Sequence, residues 1–209
     1  MKIKDTKFNL LMKLAEQGFD AAQYALGDIY YDGGEDDETP IDDDKAVEWY
    51  TKAAEQGHAL AQFKVAAMYE FRSYTPRNEA PNNYKKAVEW YTKAAEQGDS
   101  DAYTCLGRIY SEGGGGIAQD YKKAFEWYSK AAEQGSTEAQ VGLGRIYADG
   151  LNVPQDYVMA HMFFNIAAAA ADYHKGDKHR DILEKRMTPS QIEKAQDLAR
   201  EWMQTHHKR

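Results

Sequence analysis

The apolar residues of this chain recur with the period of an α-helix, and whole helices recur as well. From Lys45 to Gly57 the order KAVEWYTKAAEQG puts Ala46, Trp49, Tyr50 and Ala53 at i, i+3, i+4 and i+7, one apolar stripe along a helix. The same thirteen letters return from Lys86 to Gly98, and KAFEWYSKAAEQG runs from Lys123 to Gly135. On another face Glu48 precedes Lys52 by four residues, the favourable order, worth about 0.3–0.5 kcal/mol. The pairs Glu89/Lys93 and Glu126/Lys130 repeat it. Gly57, Gly98 and Gly135 stand where a left-handed residue ends a helix, so a second, shorter helix is predicted after each.

The tetrad AEQG occurs at 15–18, 54–57, 95–98 and 132–135, at intervals of 39, 41 and 37 residues. Four residues after each of its glycines comes an alanine: Ala22, Ala61, Ala102 and Ala139. An LG..Y element then follows, as Leu26-Gly27 with Tyr30, Leu106-Gly107 with Tyr110, and Leu143-Gly144 with Tyr147; the second unit reads Val65-Ala66 with Tyr69. All length variation falls between this element and the next helix, which marks the constant parts as packed and the variable parts as loops. Ala53, Ala54, Ala22 and Gly27 are small enough to let backbones approach, with Trp and Tyr rings filling the space between pairs. One pair of such short helices cannot cover its own apolar face, so the units must stack.

At these residues the sequence resembles the Sel-one-like repeat family, relatives of the tetratricopeptide repeats. The family order of Ala, Leu-Gly and Tyr, a Gly-rich loop, Asp before KA, then WY.KAA..G is matched almost letter for letter by DAYTCLGRIYSEGGGGIAQDYKKAFEWYSKAAEQG at 101–135. The resemblance implies an all-α fold, a right-handed α-solenoid or superhelix of stacked antiparallel helix pairs with a C-terminal capping helix. The expected organisation is an array over 1–171, with a cap helix at 6–18 and units near 19–57, 58–98, 99–135 and 136–171, followed by a helical cap at 172–209. Two departures stand out. The first long helix keeps only FNLLMKLAEQG, with Leu10 and Leu11 where Trp and Tyr stand elsewhere. The second unit replaces the Gly-rich loop by EFRSYTPRNEAPNNY, which predicts a longer first helix there.

The array ends at MAHMFFNIAAAAA, where Ala160, Phe163, Phe164, Ala167 and Ala168 take the stripe positions. Thr188, Pro189 and Gln191 then form a capping box that opens a last helix with Ile192, Ala195, Ala199 and Trp202 on one side. A terminal repeat needs such a lid over its apolar face.

Composition removes several classes of function. Hydrophobic content of 43% supports a core, and 34 acidic against 26 basic residues give a net charge of −8, which argues against a surface that tracks phosphates. The C-terminal segment 173–209 departs from this with nine Lys and Arg against six Asp and Glu. No run of signal-peptide or membrane-spanning length is present, and Cys105 is the only cysteine, so a soluble protein of a reducing compartment, the cytoplasm, is expected, with no membrane insertion.

Catalytic motifs are missing. The histidines His58, His161, His174, His179, His206 and His207 form no zinc spacing; His174 with His179 is the nearest to a metal pair and has no third ligand. SEGGGGIAQD at 111–120 lacks the Lys-Ser or Lys-Thr of a phosphate loop and reads as a turn, while DGGEDDETPIDDD at 32–44 lacks calcium-loop spacing. Cys105 reads as a buried small hydrophobe, and the paired cysteines of the relatives linked to β-lactam chemistry are absent. No catalytic residue, metal or cofactor is therefore expected.

In related helix-pair solenoids the first helix of each pair lines the concave, binding side. The resemblance transfers that role to the position two before the Leu of LG, the one after its Gly, and the two following its Tyr. These give Tyr24, Asp28, Tyr31 and Asp32; Phe63, Ala67, Glu70 and Phe71; Thr104, Arg108, Ser111 and Glu112; and Val141, Arg145, Ala148 and Asp149. The expected function is a non-enzymatic scaffold or adaptor for another protein or a peptide, in monomeric form, such as a bacterial regulator or a toxin-neutralising partner. Tyr24, Tyr31, Phe63 and Phe71 would be apolar anchors, and Arg108 and Arg145 a basic pair for carboxylates. The alternative is a hydrolase or small-ligand-binding protein, which a deep pocket with buried carboxylates would mark.

Overall fold

The computed structural model describes residues 3–33, 40–73, 80–170 and 175–206, which among themselves form eleven α-helices and no strand. The fold is all-α, and its helices divide into two compact units, Met1–Asp99 and Ser100–Arg209. The first unit holds α1 (Ile3–Glu16), α2 (Asp20–Asp32), α3 (Asp43–Glu55), α4 (Ala59–Ser73) and α5 (Ala80–Glu96). The second holds α6 (Ser100–Glu112), α7 (Tyr121–Glu133), α8 (Thr137–Asp149), α9 (Tyr157–Ala168), α10 (Lys175–Glu184) and α11 (Pro189–His206). Within each unit every helix packs on the helix before it in sequence, except α11, which packs on α9.

The ends of the helices follow from single residues. The aspartate that precedes KA is an N-cap: Asp42 accepts the Lys45 backbone N–H at 3.0 Å, and Asp120 accepts that of Lys123 at 3.0 Å. Asp156 accepts from both Val158 and Met159, at 2.9 and 3.0 Å. At the other end Gly57 has φ +92°; its N–H reaches the Ala54 carbonyl and that of His58 reaches Ala53, the paired bonds of a left-handed stop. In the second repeat α4 spans 15 residues and α5 spans 17, against 13 for α2, α3, α6 and α7, so the altered linker does lengthen its helices.

The core combines small alanines of the second helices with the buried rings Tyr50, Tyr91 and Tyr128 and with Leu26, Val65, Leu106 and Leu143 of the first helices. Ala46, Ala53, Ala87, Ala94, Ala124 and Ala131 have no exposed surface, and Tyr50 and Tyr91 are fully buried beside them. The tryptophans behave differently from the expectation of rings wholly enclosed between pairs. Trp49, Trp90 and Trp127 are half-buried, and each is covered by the lysine three residues on, with Lys52, Lys93 and Lys130 at 3.9, 3.8 and 4.6 Å from the ring centroid. The lysine of KA does the same for the tyrosine of LG..Y: Lys45 lies 5.1 Å over Tyr30, Lys86 5.1 Å over Tyr69 and Lys123 4.9 Å over Tyr110. A long aliphatic stem with a charged tip suits a ring that packing covers on one side only. The expected Glu48–Lys52 ion pair is also made, at 2.7 Å.

The C-terminal lid forms as its capping box predicts. Thr188 N–H donates to Gln191 Oε1 at 2.9 Å, and the Gln191 N–H donates back to Thr188 Oγ1 at 3.3 Å. Ala195 and Ala199 are buried, and Trp202 meets Phe163 of α9 edge-on, 5.6 Å between centroids.

Candidate functional site

In the first unit the expected residues of α2 and α4 differ in exposure, and Glu70, expected on an open face, is buried. The inner rings are engaged in packing: Tyr24 is tilted against Tyr50 at 5.6 Å and stacked on His58 at 4.7 Å, and Phe63 is tilted against Tyr91 at 5.5 Å. The carboxylates between them hold tyrosine hydroxyls. Tyr50 donates to Asp28 at 2.6 Å, and Tyr91 donates to Glu70, itself buried, at 2.9 Å. Burial, reinforced by Asp28, pushes the Tyr50 hydroxyl well above its usual range, and the same two causes raise Tyr24. The outer rings are open: Tyr31 is 43% exposed and Phe71 69%, with Lys64 5.3 Å from the Tyr31 centroid. Asp32, beside Tyr31, is exposed too.

In the second unit two of the expected positions are not open: Val141 is buried in an apolar cluster and Thr104 is buried, while the remaining ones are mostly polar. Arg108 on α6 is drawn to Glu112 of its own helix at 3.5 Å, while Arg145 and Asp149 on α8 are exposed. Thr104 Oγ1 lies 2.8 Å from Ser136 Oγ, the N-cap of α8, and Ser111 Oγ lies 3.3 Å from the Tyr128 hydroxyl. The position two before the Leu therefore touches the start of the next first helix in both units, as Tyr24 touches His58 and Thr104 touches Ser136.

The histidines serve packing and caps. His58 Nδ1 accepts the Ala61 N–H at 3.2 Å, His161 is fully buried with Nε2 2.9 Å from Glu184, His179 lies against Phe164, and His206 stacks on Trp202 at 3.9 Å. His174 and His207 lie outside the described residues, as do residues 34–39 of the acidic stretch. Among the described residues no group of three His, Cys, Asp or Glu could hold a metal ion, and no helix is long and apolar enough to cross a membrane. Cys105 is half-buried, more open than a core position. The glycines of 113–116 make a tight turn closed by Gly114 and Ile117.

A line of glutamines went unread in the sequence. Gln23 Nε2 donates to the Ala15 carbonyl at 3.0 Å, and Gln56 Nε2 donates to Gln23 Oε1 at 2.7 Å. One repeat later Gln62 donates to Ala54, and Gln97 donates to Gln62 at 2.7 Å. The signal was available: the Gln of AEQG recurs with every repeat, and a second Gln follows Ala22, Ala61 and Ala139.

Four consecutive Sel1 repeats are recognised in the chain, at residues 20–58, 59–99, 100–136 and 137–172, and the chain belongs to the Sel1 repeat family. Sel1 repeat proteins are in general protein-interaction scaffolds. The chain is similar to a protective antigen present in uropathogenic Escherichia coli strains that displays this fold, with 38% identity and a TM-score of 0.82. That match covers 95% of this chain and 41% of the antigen, so the chain spans about two fifths of its length. It is also similar to a Sel1 repeat protein from Oxalobacter formigenes, with 30% identity and a TM-score of 0.70, over 90% of this chain and 72% of the other. No curated protein matches the chain.

Proposed function

We propose that the chain is a non-catalytic scaffold that binds another protein or a peptide through the outward faces of its first helices. The observation that carries this reading is the pair Tyr31 and Phe71, large rings near the ends of successive first helices and left open where their inner neighbours Tyr24 and Phe63 are packed. Exposed aromatics beside acids that can meet donors are the residue types that dominate binding at protein interfaces. In the second unit Arg145 and Asp149, with Arg108 held against Glu112, provide a polar face suited to orienting a partner.

The test is affinity capture from the native cell with the full chain and with a Tyr31→Ser/Phe71→Ser variant, read by quantitative mass spectrometry. A partner retained by the first and lost at least about tenfold by the second, with circular dichroism and Tm unchanged, supports the reading; toxins and signalling proteins are the candidates to look for in the eluate. Equal retention by both overturns the assignment of the face.

A further inference from the structure

Two isoleucines stand open where the packing gives them no task, and their surroundings carry opposite charge. Ile41 precedes Asp42, the N-cap of α3, and is 66% exposed. At the same place in the third and fourth repeats stand Gln119 and Gln155, whose amides tie the loop back to the preceding first helix by donating to the Ser111 and Ala148 carbonyls, each at 2.8 Å. An isoleucine can make no such bond. Asp42 is held by Lys45 at 3.2 Å, and Asp43 and Asp44, exposed in the first turn of α3, continue the negative charge beside Ile41.

The second is Ile182 on α10, 60% exposed. The helix is fixed to α9 by another side: a Cβ on Gly176 would lie 2.9 Å from the Phe164 carbonyl oxygen, His179 lies against the Phe164 ring, and Leu183 is buried. Those positions are spaced i, i+3 and i+7, while Lys178, Ile182 and Lys185, spaced i, i+4 and i+7, form a different stripe. The acids of α10 are already engaged. Arg180 meets Asp177, Asp181 and Glu184 at 3.1, 3.3 and 3.7 Å, and Glu184 also meets His161. Lys178, Lys185 and Arg186 are exposed and make no ion pair among the described residues.

We propose that the chain associates with itself through these two patches, the Ile41 segment of one copy docking on the Ile182 stripe of a second. Withdrawing the two isoleucines from water supplies attraction, and Asp43 and Asp44 against Lys178, Lys185 and Arg186 decide which surfaces meet, since two copies of either patch repel each other. A second copy is the occupant because one molecule carries both halves of the match: an apolar tip among acids and an apolar tip among bases. The contact joins unlike patches and is therefore heterologous, so a dimer or a row of copies replaces the monomer expected from the sequence. Its small size and exposed charges make it weak and sensitive to salt.

The experiment is sedimentation velocity of the full chain at concentrations up to about 0.5 mM, in about 50 mM and about 500 mM NaCl. Expected are species heavier than the monomer at low salt, an apparent Kd at least about tenfold weaker at high salt, and the same loss at low salt in Ile182→Ser, in Lys185→Glu/Arg186→Glu and in Asp43→Lys/Asp44→Lys. An equimolar mixture of the two charge-reversed variants, each monomeric alone, should form a complex, because each supplies the patch that the other lacks. A monomer under all conditions, association that Lys185→Glu/Arg186→Glu leaves unchanged, or a mixture that stays monomeric overturns the proposal. Binding of polyglutamate by a chain that remains monomeric assigns the α10 stripe to a foreign acidic partner and overturns it as well. Should Asp43→Lys/Asp44→Lys fail to fold, since lysines at a helix start oppose its dipole, Ile41→Ser and Ile182→Ser decide. The Tyr31→Ser/Phe71→Ser variant keeps the self-association, so this proposal and the scaffold reading can each fail without the other.

Discussion

A methyl group on Gly27 would lie 2.4 Å from Cδ1 of Tyr50, because the tyrosine ring occupies the place of a side chain on α2. The same relation joins Gly107 to Tyr128 and Gly144 to Phe164, each at 2.4 Å. The glycine of LG is thus a seat for the ring of the next helix.

Gly107→Ala should destabilise the protein by about 1–3 kcal/mol, the range for overpacking, although alanine is the better helix former. Tyr128 is buried and its ring is met at Cγ as well as at Cε1, so it cannot swing aside. A thermal melt of the variant measures the loss; an unchanged or raised Tm would refute the close contact.

Ala94 has no exposed surface on α5. Ala94→Leu should cost about 1–3 kcal/mol for the same reason, without altering the helical content at low temperature. Chemical denaturation gives the difference directly.

Asp156 accepts two backbone N–H groups at the start of α9. Asp156→Ala should lower stability by about 1 kcal/mol and Asp156→Asn by less, since the amide oxygen still accepts. Urea midpoints of the two variants, compared at one pH, test the order.

Alkali should unfold the chain cooperatively. Burial raises the hydroxyls of Tyr50, Tyr128 and Tyr147 above the ordinary tyrosine value, so the folded state keeps protons that the unfolded state releases near pH 10. The stabilisation is complete below that value and is lost as pH rises past it. Absorbance at about 295 nm should show exposed tyrosines ionising first and the buried ones only with loss of circular dichroism; early ionisation of every tyrosine would contradict the burial.

The repeats, their caps and the helix ends were legible because each depends on local letters: Asp120 before its helix, Gly57 after one, Thr188 with Gln191. The second repeat's longer first helix was legible for the same reason, whereas the lengthening of α5 was not foreseen. What escaped were polar residues with tertiary duties. Lys45 and Lys52 look like solvated surface until the rings beneath them are placed, and their role depends on which face of Tyr30 and Trp49 packing leaves open. Gln23 and Gln56 lie far apart in sequence, and their bond exists only once α2 and α3 are side by side. At the candidate positions exposure was not readable, since Tyr24 and Phe71 look alike until His58 is stacked on one of them.

The turn at 113–119 is anchored outside itself: the Asp120 N–H meets the Tyr110 carbonyl at 2.8 Å and the Gly113 N–H meets that of Ile109 at 2.9 Å, leaving Gly114, Gly115 and Gly116 exposed. A peptide epitope or a small fluorescent insert spliced between Gly115 and Gly116 would then be carried outside the packed helices, because lengthening an already closed loop adds little entropy cost. This bend is the natural handle for labelling the protein outside its packed helices.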